Sequence, residues 1–253
     1  MNPSMQQRLL LIAMAGFALL LGWGICGLPA FGQHLGQYAA MLTRVAVAER
    51  HLTNVVAAVN FDYRALDTMG EEFILFAAVA GVALLLRAQR AEREQQAHDE
   101  APGRAVPDPS DAVQVTGLAL ISIAILWGAN IIVHGHVTPG GGFQGGVLLA
   151  TAILLIYLAG EHSLFRRFTP IAVLQMVEAI GVGGYVLMGV AGMLTGVSFL
   201  QNPLPLGRTG ELYGGGMVPL LNVAVGLAVG AGFVVLLADF IEQTLVLRRW
   251  RKP

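Results

Sequence analysis

Six long apolar blocks constrain most what this chain can become: Leu9–Leu28, Phe73–Leu86, Val113–Val133, Gly142–Leu158, Val173–Leu194 and Leu220–Ala238. A helix rising 1.5 Å per residue needs about 20 residues to cross a hydrocarbon core of about 30 Å, and most of these blocks reach that length. Unbroken apolarity over such lengths argues for helices, because barrel strands show about ten residues of alternating polarity. The chain is 55% hydrophobic and only 12% charged, whereas a soluble domain carries about 25% charged residues. The expected fold is therefore all-α, a polytopic membrane protein of six transmembrane helices.

A hydrophilic stretch groups these helices two plus four. From Arg87 to Ala112 the chain holds four basic residues, six acidic residues and three prolines, a composition that cannot bury itself. The expected organisation is a two-helix segment at 1–95, a cytoplasmic linker at 96–112 and a four-helix domain at 113–253, with the second helix extending briefly into the charged run. Neither a solenoid period nor an inverted repeat is visible.

Basic residues set the orientation. With the N-terminus inside, Arg8, Arg87, Arg90, Arg93, Arg104, Arg166, Arg167, Arg248, Arg249, Arg251 and Lys252 lie on the cytoplasmic face, eleven in all, against four outside: Arg44, Arg50, Arg64 and Arg208. The excess favours a plasma-membrane protein with both termini cytoplasmic. A competing reading takes the first block as a cleaved signal peptide ending near Ala30-Phe31-Gly32. Cys26 is the only cysteine, so neither an intramolecular disulfide nor a cysteine metal cluster is available.

The second block points to a site. Phe73–Leu86 is 14 residues, about 21 Å of helix, so a full span must begin near Arg64 to Asp67. Arg64, Asp67 and Glu71 then fall three and four residues apart on one face. Charged groups cost about 2.5–3.5 kcal/mol each in a membrane unless paired or facing water or protein. Two readings stand: a solvated acidic first turn that suits the helix dipole, or carboxylates on an ion path. Glu178 is the isolated acid of the later half, five residues into its block, with Gln175 nearby and Gly181, Gly183, Gly184, Gly189, Gly192 and Gly196 beyond. It is either an interfacial carboxylate or a relay for protons or sodium. Asp239 and Glu242 are expected to be solvated at the end of the last helix.

Between the third and fourth blocks runs His134-Gly-His-Val-Thr-Pro-Gly-Gly-Gly-Phe-Gln-Gly-Gly146. No lysine follows the glycines, so this is no Walker phosphate loop. Pro139, Gly140, Gly141, Gly142 and Phe143 form either a plain tight loop or a re-entrant, subunit-contacting turn. His134 and His136 titrate near neutral pH, which suits proton handling at an outer surface. Two histidines without a third ligand make no metal site. With no constellation for bond chemistry, neither enzyme activity nor a cofactor is expected, and nothing suggests nucleic acid as a partner.

Thr53-Asn-Val-Val-Ala-Ala-Val-Asn-Phe-Asp-Tyr-Arg-Ala-Leu-Asp-Thr-Met-Gly-Glu71 resembles the C-terminal end of the large A subunit of Mrp-type multisubunit Na+/H+ antiporters, which has an MbhE-like equivalent in membrane-bound hydrogenases. Asn60-Phe61-Asp62 departs from that pattern, while Asp62, Arg64, Asp67 and Glu71 fit it. His134 to Gly146 and the hydropathy after it resemble the MnhB (MrpB) subunit family. The double resemblance implies a natural fusion of an A-subunit tail with a B subunit. It implies a non-catalytic membrane subunit working with other antiporter subunits, moving protons and Na+ or another monovalent cation. Its only lysine is Lys252, so it would frame an ion path with Arg64, Asp67, Glu71, Glu178 and His136 and would not hold the whole relay. The alternative is a membrane-arm subunit of a hydrogenase- or complex I-related pump; a free-standing structural protein or small channel is a third.

Overall fold

The computed structural model describes residues 3–28, 36–86, 109–159 and 162–250, and every regular element among them is helical. Among the described residues six helices are long and apolar enough to cross a membrane: Gln7–Cys26, Ala65–Leu85, Asp111–Val133, Gly142–Ala159, Phe165–Leu194 and Val218–Ile241. This is the expected all-α architecture. The second span begins at Ala65, where the 14-residue apolar block required additional length.

The chain forms two compact units, Met1–Met41 and Leu42–Pro253. The first contains α1 (Pro3–Cys26), a helix without a strong apolar face whose span is exposed throughout. It ends in the first turns of α2 (Gln37–Arg50). The second continues through α3 (Val55–Ala58), a five-residue π-helical segment (Val59–Tyr63) and α4 (Ala65–Leu85). It then holds α5 (Asp111–Val133), α6 (Gly142–Ala159), the short α7 (His162–Phe168), α8 (Ile171–Leu194) and α9 (Val218–Trp250). Residues 87–108 of the hydrophilic stretch, which include 96–108 of the expected linker, the Ala30-Phe31-Gly32 cleavage site and the side chain of Glu242 lie outside the described residues.

Within the second unit α9 is the hub, packed against α4, α6 and α8. Glycines make these approaches possible. A Cβ on Gly146 of α6 would stand 2.9 Å from the backbone nitrogen of Gly230, and one on Gly181 of α8 would stand 2.6 Å from both Ala224 O and Ala228 N. Such distances admit only hydrogen, so small residues bring the helices together where lipid supplies no hydrophobic drive. Gly183 and Gly184 meet nothing within 4 Å. Asp239, expected to be solvated, is buried instead, at 2% exposure. Enclosure of α9 by its neighbours holds that face inside the bundle beyond the apolar block itself.

Candidate functional site

Helix α4 sorts its acids between two faces. Ala65, Thr68, Glu72 and Val79 are buried, at spacings of three, four and seven, while Asp67, Glu71, Ile74 and Ala78 are exposed on the opposite stripe. Adjacent helical residues stand about 100° apart, so Glu71 and Glu72 face different surroundings. At the head of α4 the Tyr185 hydroxyl of α8 donates to the Ala65 carbonyl at 3.0 Å. From this contact Glu72 lies seven residues along α4 and Glu178 seven residues back along α8. Seven residues are nearly two turns, about 10 Å, on antiparallel helices, so the two carboxylates come to one level.

Both are deeply buried, Glu72 at 2% and Glu178 at 3% exposure. Neither oxygen of Glu72, nor Oε1 of Glu178, has a hydrogen-bond partner among the described residues. A Cβ at Gly232 of α9 would stand 2.8 Å from Oε1 of Glu178, so the end of that carboxylate rests against the bare backbone of α9. Above the pair, Thr68 Oγ1 donates to the Asn60 carbonyl of the π segment at 2.7 Å, and the Phe61 and Tyr185 rings lie 6.4 Å apart. The π segment is therefore tied to the first turn of α4 and to Tyr185 of α8. Two like charges in such a place cannot both persist unpaired; the arrangement is suited to holding a proton or a monovalent cation between them.

The glycine turn is built into the same end of the unit. Asn54 caps α3 by accepting from Val56 N and Ala57 N at 3.0 and 3.3 Å, while its Nδ2 faces the carbonyls of Gly135, Thr138 and Gly140 at 2.7, 3.0 and 3.3 Å. Its backbone N–H donates to the His136 carbonyl at 3.2 Å, and Thr53 Oγ1 donates to the Val137 carbonyl. From the other side Asn222 of α9, fully buried, accepts from Gly142 N at 2.8 Å. Gly140 has φ +126°, a conformation that L side chains rarely adopt. The turn is thus a clamped connector. Asn54→Ala is expected to remove the donor and the cap together and destabilise the unit by about 1–3 kcal/mol, because the α3 cap is lost and the turn carbonyls, that of buried Gly135 among them, lose their partner. Asn54→Ser keeps a capping oxygen and loses the long-range donor, so thermal denaturation should rank it between alanine and the parent.

Each expected site residue has a definite place. Arg64 pairs with Asp67 on the exposed face of α4, and Glu71 is exposed beside them. Asp62 is held by Arg50, whose Nε lies 3.2 Å from Oδ1. Burial raises the Asp62 carboxyl above its ordinary value, with Arg50 opposing. His136 does not sit at a surface as expected: it is 1% exposed, and burial lowers its imidazole below the ordinary value despite the nearby backbone of Glu211 and Leu212. The segment carrying Glu211 and Leu212 lies against it, so the ring is enclosed where an exposed histidine was expected. Pro139 to Phe143 form the clamped turn, with Phe143 edge-on to Phe233 at 6.4 Å. Glu72 was missed. The spacing of Ala65, Thr68, Glu72, Leu75 and Val79 could have found it, as one buried stripe carrying one acid.

The model of a family described as a domain related to the MnhB subunit of Na+/H+ antiporter matches residues 112–235. The protein MJ1307 of Methanocaldococcus jannaschii, itself uncharacterised, is 33% identical over 203 residues, 72% of this chain and 74% of that protein. A chain in the membrane-bound sulfane sulfur reductase, an archaeal respiratory membrane complex, superposes with a TM-score of 0.67 at 29% identity, covering 93% of this chain and 98% of that one. A chain of the Mrp complex from Dietzia sp. DQ12-45-1b gives 0.66 at 27% identity, covering 94% of this chain and 26% of that longer one.

Proposed function

We propose that this chain, whose residues 112–235 form a domain related to the MnhB subunit of Na+/H+ antiporter, is a non-catalytic subunit of a multisubunit monovalent-cation/proton antiporter, framing an ion path beside the larger subunits. The observation that carries this reading is the Glu72–Glu178 pair: two carboxylates at one level inside spanning helices, both buried. Unpaired intramembrane acids are costly to keep, and ion transfer is the role that gives such a pair a purpose. The segment to Glu71 takes the part of an A-subunit tail, and the four helices after the linker take the part of the B subunit. The likeness over 98% of a chain in a respiratory reductase supports a second reading, in which the same module is driven by redox chemistry in partner subunits.

The test is functional reconstitution. The native complex should exchange Na+ for protons across vesicles, and this chain alone should show no coupled flux, since it holds no intramembrane lysine for a complete relay. Robust flux from the isolated chain would overturn the subunit reading; co-purifying redox subunits would select the second reading over the first. The orientation is read separately. In a Cys26→Ser background, cysteines at Gln33 and Gln96 should label from opposite faces, with Gln96 cytoplasmic; labelling from one face refutes the topology.

A further inference from the structure

Glu71 poses a problem that the chain by itself leaves unsolved. It lies six residues beyond the start of α4, about 9 Å down a helix just long enough to cross the hydrocarbon core. Yet it is exposed, on a stripe with Ile74 (72% exposed) and Ala78. Arg64, the nearest cation in sequence, is already paired with Asp67, one turn nearer the helix start. A carboxylate facing lipid costs about 2.5–3.5 kcal/mol at the centre of a span and less toward its ends, and the short glutamate side chain cannot snorkel as lysine and arginine do.

The same stripe is shaped to receive a helix. Asp67, Glu71, Ile74, Ala78 and Gly81 follow one another at spacings of four, three, four and three, the repeat by which one helix packs along another. A Cβ on Gly81 would meet nothing within 4 Å, and Ala78 is small, so a neighbour could approach closely below the acid. The chain's own α1 does not fit the charge, since between Leu9 and Cys26 it carries no basic or amide side chain.

We propose that this stripe of α4 is the docking face for a transmembrane helix of a neighbouring subunit, one that presents a basic side chain at the depth of Glu71. Charge complementarity selects the occupant: a cation satisfies the carboxylate inside the membrane, which neither lipid nor an apolar helix can do. The role differs from that of Glu72, whose face turns into the bundle. It needs the chain to work in a multisubunit membrane complex, but not the Glu72–Glu178 pair to carry ions.

The experiment uses the complete complex. Glu71→Leu, Glu71→Gln and Glu72→Gln are introduced separately, and the amount of intact complex is measured after mild detergent extraction and size separation. A photocrosslinking residue is placed at Ile74 in one preparation and, as the off-stripe control, at Phe73 in another. Glu71→Leu should reduce intact complex at least tenfold, Glu71→Gln should reduce it less because the amide still accepts a hydrogen bond, and the Ile74 probe should join one partner subunit. The cross-linked partner peptide should contain a lysine, arginine or histidine within its apolar segment, and changing that residue to glutamate together with Glu71→Lys should restore assembly. If Glu71→Leu assembles as the parent does, the stripe faces lipid and the proposal fails. It fails equally if the Ile74 probe joins only lipid or this chain's own α1. Normal transport by an assembled Glu72→Gln complex would defeat the ion-path reading alone.

Discussion

Glu178→Gln and Glu72→Gln, each in the intact complex, are expected to lower coupled cation/proton flux by at least about tenfold while leaving assembly at or above the parental level. The amide keeps nearly the volume of the acid and cannot change its charge. A buried carboxylate without a hydrogen-bond partner disfavours the folded state, and both residues have such oxygens, so the amide relieves a cost where an ordinary core substitution adds one. Increased or unchanged stability together with lost transport is the signature of a group kept for ion handling. Flux measured between pH 6 and 9 in vesicles, alongside the yield of intact complex, separates the outcomes. Parental flux from either variant would reduce the pair to a structural curiosity of the bundle. Loss of assembly would instead mean that the acids hold the helices together through a partner that the amide cannot satisfy.

Gly181→Val should be the most disruptive single change in the α8–α9 contact. A β-carbon there meets the backbone of Ala224 and Ala228 at 2.6 Å, and those atoms cannot rotate away. Overpacking of this kind costs about 1–3 kcal/mol in cores that can relax, and two helices crossing on their backbones relax poorly. Glu178 stands three residues from Gly181 on α8, so forcing the helices apart also moves it from Glu72. Gly183→Ala is the matched control, because its Cβ would meet nothing within 4 Å. The valine variant should lose most of its thermally stable complex and its flux together, and the alanine control should lose neither. Equal behaviour of the two would show that the small residues of α8 are not what seats it on α9.

Helix number, the near-complete absence of charge within the spans and the start of α4 were all legible in the chain, because crossing about 30 Å of hydrocarbon fixes length and composition before any helix meets another. The glycine turn was legible as unusual, and the histidines, acids and glycines around it were visible as residues. What they touch was not. Glu71 and Glu72 are adjacent in the chain and identical in side chain; only the packing of α4 against α8 and α9 sends one inward and the other outward. Spacing to Arg64 drew attention to Asp67 and Glu71, since a local ion pair is written within one turn of helix. The level shared by Glu72 and Glu178 depends on a Tyr185–Ala65 contact between residues 120 positions apart. Asn54 gripping a turn more than 80 residues away belongs to the same class, as does the burial of Asp239 beyond the apolar block of α9. Local sequence sets which segments enter the membrane and as what, because each backbone must satisfy its own hydrogen bonds there. Which face of each helix turns inward is decided by its neighbours, through close glycine contacts and a few long-range polar bonds that no periodicity encodes.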